Sequence, residues 1–152
     1  MSRRRVALFA TLLAAAALIA VGGTSAFAAS KKTLVATMTA AKERRAGPGP
    51  ASGHGTFTGK VNKARTKICY SLTARGIGAP ILAHIHVGGP TVAGPVVIPL
   101  KTPKATGVTK GCAKAPKKLL KKIVAHPRRY YVNVHTNAFK GGAIRGQLKL
   151  KR

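Results

Sequence analysis

The chain has 152 residues, enough for one ordinary domain, and its composition is strongly basic. It carries 28 lysines and arginines against a single acidic residue, Glu43, which gives a formal net charge of +27. Enzymes that need a pair of carboxylates, such as most glycoside hydrolases, are therefore excluded. Because 45% of the residues are hydrophobic, the composition is that of a folded domain rather than of a disordered basic tail.

The first 28 residues have the three-part layout of a secretory signal peptide. Arginines at positions 3–5 precede an apolar run over residues 6–21, and Ala26-Phe27-Ala28 follows as a small-residue cleavage site. A retained membrane anchor is the alternative, because the run approaches the roughly 17–25 residues that a spanning helix needs. We expect cleavage after Ala28, by the general secretory route rather than the twin-arginine route. This leaves residues 29–152 as one secreted domain without a transmembrane segment.

Alternation of apolar and polar residues predicts about seven short strands in the mature chain. The segments that carry this pattern are residues 33–40, 55–61, 68–74, 81–87, 130–134 and 144–150. A further apolar run over residues 95–100 contains two prolines, which are typical of a sheet edge. Short strands separated by glycine-rich turns predict an all-β fold, an antiparallel sandwich or barrel.

Residues 116–125 break this period and predict one short amphipathic helix. Four lysines share one arc of it, and the apolar residues share the opposite arc: Lys117, Lys118, Lys121 and Lys122 against Leu119, Leu120, Ile123 and Val124. Pro116 suits the first helical position, and Pro127 ends the helix. We favour a crossover helix that packs its apolar side on the sheet. The alternative is a cationic helix that touches a membrane surface.

The chain has two cysteines, Cys69 and Cys112. In an exported domain of this size, such a pair is most simply one disulfide. A cysteine metal site would need more ligands at closer spacing, and the separation excludes a CxxC redox pair. The loop that the disulfide closes, about 44 residues, corresponds to roughly 4 kcal/mol in the chain-entropy model.

Three histidines are candidate metal ligands. His84 and His86 are two residues apart on one predicted strand, so both point to the face opposite its apolar residues. His135 lies on another predicted strand, and the three imidazoles converge if the two strands are neighbours in register. Three neutral imidazoles suit copper or zinc. From the sequence alone we favour a role as hydrogen-bonded structural residues on a half-exposed sheet face, and metal binding is the alternative.

Two segments of the chain resemble the CHRD (chordin-type) domain family. The first reads AHIHVG at residues 83–88 with GPVVIPL at 94–100, and the second reads YYVNVHT at 130–136 with IRGQL at 144–148. The two cysteines are similar to the family's cysteine positions, and the resemblance covers about residues 33–150. It implies a β-sandwich of the immunoglobulin-like or superoxide-dismutase-like kind, without a settled chemistry. The His-x-His strand also resembles the copper-ligand strand of copper/zinc superoxide dismutase, whose zinc-site Asp has no counterpart here.

Charge, export and the resemblance together predict a secreted, non-enzymatic, monomeric module, free in the medium or held at the cell envelope. Its cationic surface is expected to bind anionic envelope or extracellular polymers and, in vitro, nucleic acid without sequence preference. The candidate anion-binding residues are the four helix lysines and Arg145. For Arg145 we favour a role in pinning a loop through backbone carbonyls, and an anionic ligand is the alternative. No cofactor is expected, and the alternative function is copper or zinc binding by the three histidines. A third hypothesis, an intracellular DNA-coating protein, requires that the chain is not exported.

Overall fold

The computed structural model describes residues 32–43 and 49–152, so the predicted signal peptide, residues 1–28, lies outside the described residues. The described residues form nine β-strands and one α-helix: β1 (Lys32–Thr39), β2 (His54–Val61), β3 (Lys67–Arg75), β4 (Pro80–Val87), β5 (Val96–Leu100), β6 (Thr109–Lys114), α1 (Lys117–Ala125), β7 (Tyr130–Thr136), β8 (Ile144–Gln147) and β9 (Lys149–Leu150). None of the helices in these ranges is long and apolar enough to cross a membrane. The predicted all-β class with one short helix is confirmed.

All strand pairs are antiparallel, and they form one continuous sheet. The order along the sheet is β5-β4-β7-β8-β1-β2-β3-β6, and β9 also pairs with β1. The two end strands, β5 and β6, contact each other, so the sheet curls nearly into a barrel. The position of β5 at one end of this order agrees with the edge location that its prolines predict.

The period-two pattern places one side of each strand in the core. On β1, Leu34, Ala36 and Met38 are buried, whereas the alternate residues are less covered. Apolar residues of the same kind from the other strands complete the interior: Phe57, Ile68, Leu72, Ala83, Ile85, Ile98, Val132, Val134 and Ile144. A core of apolar side chains thus fixes which face of every strand is available to polar side chains.

Helix α1 packs its apolar arc against this core, as the favoured interpretation of the segment predicts. Leu120, Ile123 and Val124 are buried, and the four lysines are exposed. One detail differs from the prediction: Pro116 is the N-cap residue, with extended backbone at ψ 136°, rather than the first helical residue. Proline is tolerated there because its missing N–H has no helical partner in either position.

Strand β6 was not predicted from the sequence, and it carries one end of the disulfide. It pairs with β3 so that Cys112 lies directly opposite Cys69. The two residues are joined as a disulfide, which confirms the predicted pairing. The bridge ties the last strand of the sheet order to its neighbour.

Candidate functional site

The pairing of β4 with β7 brings the three histidines together. In this register His84 lies opposite Asn133 and His86 lies opposite Tyr131. Their chain neighbours Ala83 and Ile85 are buried in the core, so the two histidine side chains lie on the outer face of the sheet. His135, Asn133 and Tyr131 project to that same face from β7 because Val132 and Val134 occupy the core side. The predicted convergence of the three imidazoles is therefore present.

The imidazole nitrogens of this cluster are close enough to share one ligand. His84 Nδ1 and His135 Nε2 are 3.2 Å apart. One nitrogen from each of the three rings lies within 4.8 Å of the others. His86 and His135 are buried, whereas His84 is partly exposed, so the cluster meets solvent on the His84 side.

Two backbone carbonyls fix the orientation of the buried rings. His86 Nδ1 is 2.9 Å from the carbonyl oxygen of Gly94, and His135 Nδ1 is 2.9 Å from that of Lys140. A carbonyl only accepts hydrogen bonds, so each Nδ1 carries a proton and donates it. In the neutral ring this leaves the lone pair on Nε2. Both carbonyls belong to loops that follow the histidine strands, and sequence reasoning did not identify them.

The environment of His84 favours the neutral imidazole. Burial, together with the nearby His135 and His86, lowers the pKa of His84 from 6.5 to about 4. Because desolvation and like charges both penalise the imidazolium, this ring is uncharged at neutral pH. The side-chain amide of Asn133 lies beside His135, with Oδ1 3.1 Å from Nε2, and it adds a polar neighbour without adding charge. Because His135 Nδ1 carries the proton, the amide orientation that bonds Nε2 is the one that turns Nδ2 toward it.

Beside the cluster, three side chains stack in a column. The His86 ring lies parallel to the Tyr131 ring, with centroids 4.8 Å apart. On Tyr131 lies the guanidinium of Arg145, whose Cζ is 3.3 Å from the ring centroid. Arg145 also donates from Nη2 to the carbonyl oxygen of Gly89 at 2.7 Å. Arg145 is thus buried and bonds the loop after β4, as its loop-pinning interpretation predicts.

The two groups of candidate anion-binding residues lie on different elements. The four lysines of α1 are exposed on one helix face, and Arg145 is 1% exposed on β8. A cavity of about 260 Å³ lies beside Arg145, and Lys42 and Lys149 also line it. The structure therefore separates the lysine face from the buried guanidinium.

The only acidic side chain of the protein is buried. Glu43 is 3% exposed and packs against Gly142, whose lack of a side chain leaves room for the carboxylate. Most lysines and arginines in the described ranges are exposed. The charged side chains on the described surface are therefore basic.

Comparison with known proteins identifies the family. No curated protein matches the chain. The sequence model of the CHRD domain matches residues 34–148, which run from β1 to the end of β8 and include the disulfide, the three histidines and Arg145. Family members are generally non-enzymatic. With nearly the whole described chain covered by one match, this protein belongs to the CHRD domain family.

Proposed function

We propose that this protein is an exported, non-enzymatic module that associates through its charge with anionic polymers of the cell envelope or of the extracellular space. One observation carries the proposal: the sole acidic residue, Glu43, is buried, whereas most lysines and arginines of the described ranges are exposed. Family membership supports the non-enzymatic part, and the signal-peptide layout of residues 1–28 supports export.

The physical basis of such association is the release of counterions. A polyanion holds a condensed layer of small cations, and each lysine or arginine that contacts a phosphate or sulfate displaces some of them. A protein whose net charge is far from zero also repels itself, and a bound polyanion relieves this repulsion. Both effects are independent of the order of monomers in the polymer, so the binding is expected to be insensitive to sequence.

The four lysines on the exposed face of α1 are the natural centre of contact. They lie within nine residues, and the helix is anchored by buried Leu120 and Ile123, so the charges are presented together on a fixed surface. Replacing Lys117, Lys118, Lys121 and Lys122 with Gln removes four charges and leaves the buried arc unchanged.

A matched control separates the effect of the helix face on affinity from the effect of total charge. It replaces four exposed lysines on four different segments with Gln: Lys60, Lys101, Lys140 and Lys151. Fluorescence anisotropy with labelled duplex DNA at low salt should show at least a tenfold weaker affinity for the helix variant and a smaller loss for the control. Equal affinity of the unsubstituted protein for DNA and for neutral dextran would overturn the proposal.

Export is tested separately. Fractionation should place the protein in the medium or envelope, and sequencing of its N-terminus should begin at residue 29. Recovery from the cytoplasm with Met1 and the apolar run still attached would instead favour the intracellular DNA-coating hypothesis.

A further inference from the structure

We infer that His84, His86 and His135 form a binding site for one divalent transition-metal ion, with Cu²⁺ bound more tightly than Zn²⁺. The inference is independent of polyanion association, because it depends on three imidazole side chains on β4 and β7 rather than on the lysines.

The donor set selects the class of metal. Within the described residues the clustered ligand atoms are imidazole nitrogens, without a thiolate or a carboxylate among them. Imidazole suits Zn²⁺, Cu²⁺ and related ions, whereas Ca²⁺ and Mg²⁺ require oxygen ligands. At a site of given geometry the affinity of divalent first-row ions rises to a maximum at Cu²⁺. A set of three neutral nitrogens therefore favours Cu²⁺ and leaves the bound ion its positive charge.

The two buried rings are oriented as metal-binding histidines usually are. Ligand histidines donate the other ring N–H to a carboxylate, a backbone carbonyl or water, which fixes the tautomer and the ring plane. Here Gly94 and Lys140 supply the carbonyls, at 2.9 Å in both cases, and this directs the Nε2 lone pairs of His86 and His135 to serve as ligands. Because the chain has only one acidic residue, backbone carbonyls rather than carboxylates orient these rings.

The spacing of the nitrogens is close to what one ion requires. Nitrogens 2.0–2.1 Å from an ion lie about 2.9 Å apart in the tetragonal geometry of Cu²⁺ and about 3.4 Å apart in the tetrahedral geometry of Zn²⁺. His84 Nδ1 and His135 Nε2, 3.2 Å apart, already lie between these two separations, and one proton lies between them in the neutral pair. A metal ion takes the place of that proton, and His84 then carries its proton on Nε2. The third nitrogen lies within 4.8 Å of the other two, so binding must shorten these distances by at most about 2 Å.

The cluster is accessible through His84. This ring is partly exposed, whereas His86 and His135 are covered by the loops that supply their carbonyls. Three protein ligands leave a fourth position for water or another small ligand, which is the arrangement of an open site. An ion therefore enters from the His84 side without unfolding the loops.

The direct test uses tag-free protein, treated with a chelator and titrated with CuCl₂ and ZnCl₂ in 0.5 M NaCl, where contacts with polyanions are weak. We expect one equivalent of Cu²⁺ to bind, with nitrogen hyperfine splitting in its electron paramagnetic resonance spectrum and a lower affinity for Zn²⁺. No stoichiometric binding, or a spectrum without nitrogen ligands, would overturn the inference and leave a hydrogen-bonded structural cluster.

Substitutions locate the site. His84→Gln changes the most exposed of the three rings and should weaken Cu²⁺ binding at least 100-fold, since even the loss of an outer-shell partner costs 10–100-fold. The matched controls are His54→Gln and His126→Gln, at exposed histidines outside the cluster, and they should bind as the unsubstituted protein does. Loss of binding in a control but not in His84→Gln would place the ion elsewhere.

A measurement on the unsubstituted chain avoids any question of folding. Diethyl pyrocarbonate acylates accessible imidazoles, and mass spectrometry locates the adducts. Bound Cu²⁺ should protect His84 and leave the acylation of His54 and His126 unchanged. Equal acylation of His84 with and without Cu²⁺ would contradict the proposed site.

Discussion

Arg145 shows how a single side chain connects the sheet to its loops. From β8 it covers the ring of Tyr131 on β7, and it bonds Gly89 in the loop after β4. Tyr131 in turn contacts Gly94 in that loop, whose amide donates to the tyrosine hydroxyl at 3.2 Å. The same loop supplies the carbonyl for His86, so Arg145 supports the histidine cluster through this loop and through Tyr131.

We predict that Arg145→Lys destabilises the protein and loosens this loop. Lysine keeps the charge but loses the planar group that both stacks on Tyr131 and donates to Gly89. The expected loss in the free energy of unfolding is about 1–3 kcal/mol, measured by urea denaturation. Hydrogen exchange should increase at residues 88–94. The exposed Arg129→Lys is the control, and equal effects of the two substitutions would contradict this role.

The lowered pKa of His84 predicts a dependence of stability on pH in chelator-treated protein. In the unfolded chain an imidazole titrates near 6.5, whereas burial and the other two histidines lower the pKa of folded His84 to about 4. Between pH 6.5 and 4 the unfolded chain therefore binds a proton at this histidine, whereas the folded protein does not. The free energy of unfolding therefore falls as the pH decreases from 6.5 to 4. Because His84 is partly exposed, the fall is smaller than the ~1.4 kcal/mol per pH unit expected for a fully buried group.

Urea denaturation at pH 7, 5.5 and 4.5 measures this effect. The stability of His84→Gln should vary less with pH than that of the unsubstituted protein, because the titrating group is gone. With one acidic side chain in the sequence, carboxylate titration contributes little in this range. Parallel pH profiles for the two proteins would show that His84 is not the source.

Strand β6 is held in the sheet by one strand pairing and by the disulfide bond. Its residues alternate little in hydrophobicity, and it lies at an end of the strand order with only β3 as its paired neighbour. The disulfide between Cys69 and Cys112 fastens it there. The bridge restricts the unfolded chain by closing a long loop, so the folded state gains stability.

We predict that Cys69→Ala with Cys112→Ala lowers the free energy of unfolding by about 2–5 kcal/mol. A reductant should lower the stability of the unsubstituted protein by a similar amount, because Cys112 is exposed. Two thiols that react before any reductant is added would contradict the disulfide itself.

The elements that the sequence predicts well are those with a strong apolar period. Strand β3 and helix α1 are examples, because their buried residues recur every two residues and on one helical arc. Strand β6, with the sequence TKGCAK, has no such period, and only its pairing with β3 makes it a strand. Its identification needs contacts between distant residues, which local pattern does not contain.

The sequence predicts the histidine cluster only in part, for a similar reason. The shared face of His84 and His86 follows from their spacing on a strand, but their approach to His135 depends on the pairing of β4 with β7. The carbonyls of Gly94 and Lys140 carry no side-chain signal at all, since every residue has a carbonyl. Loop conformation alone places them, so the sequence predicts the three histidines but not the groups that orient them.

For the whole molecule, the distribution of charge is the dominant property. Removal of the predicted signal peptide takes three of the 28 basic residues and leaves a net charge of +24, with the one acidic side chain buried. Such a protein is expected to bind polyanions with an affinity that depends on salt more than on the identity of the polymer.

The salt dependence of polyanion binding is the most direct test of association through charge. The affinity for duplex DNA should fall with salt at a slope of about −0.9 per phosphate contacted, on logarithmic axes. For about 5 contacts, a fourfold rise in salt weakens binding roughly 500-fold. Two unrelated DNA sequences and an acidic polysaccharide should all show steep slopes. Binding that persists in 0.5 M salt, or that requires one sequence or one sugar, would contradict the account and indicate a shaped site.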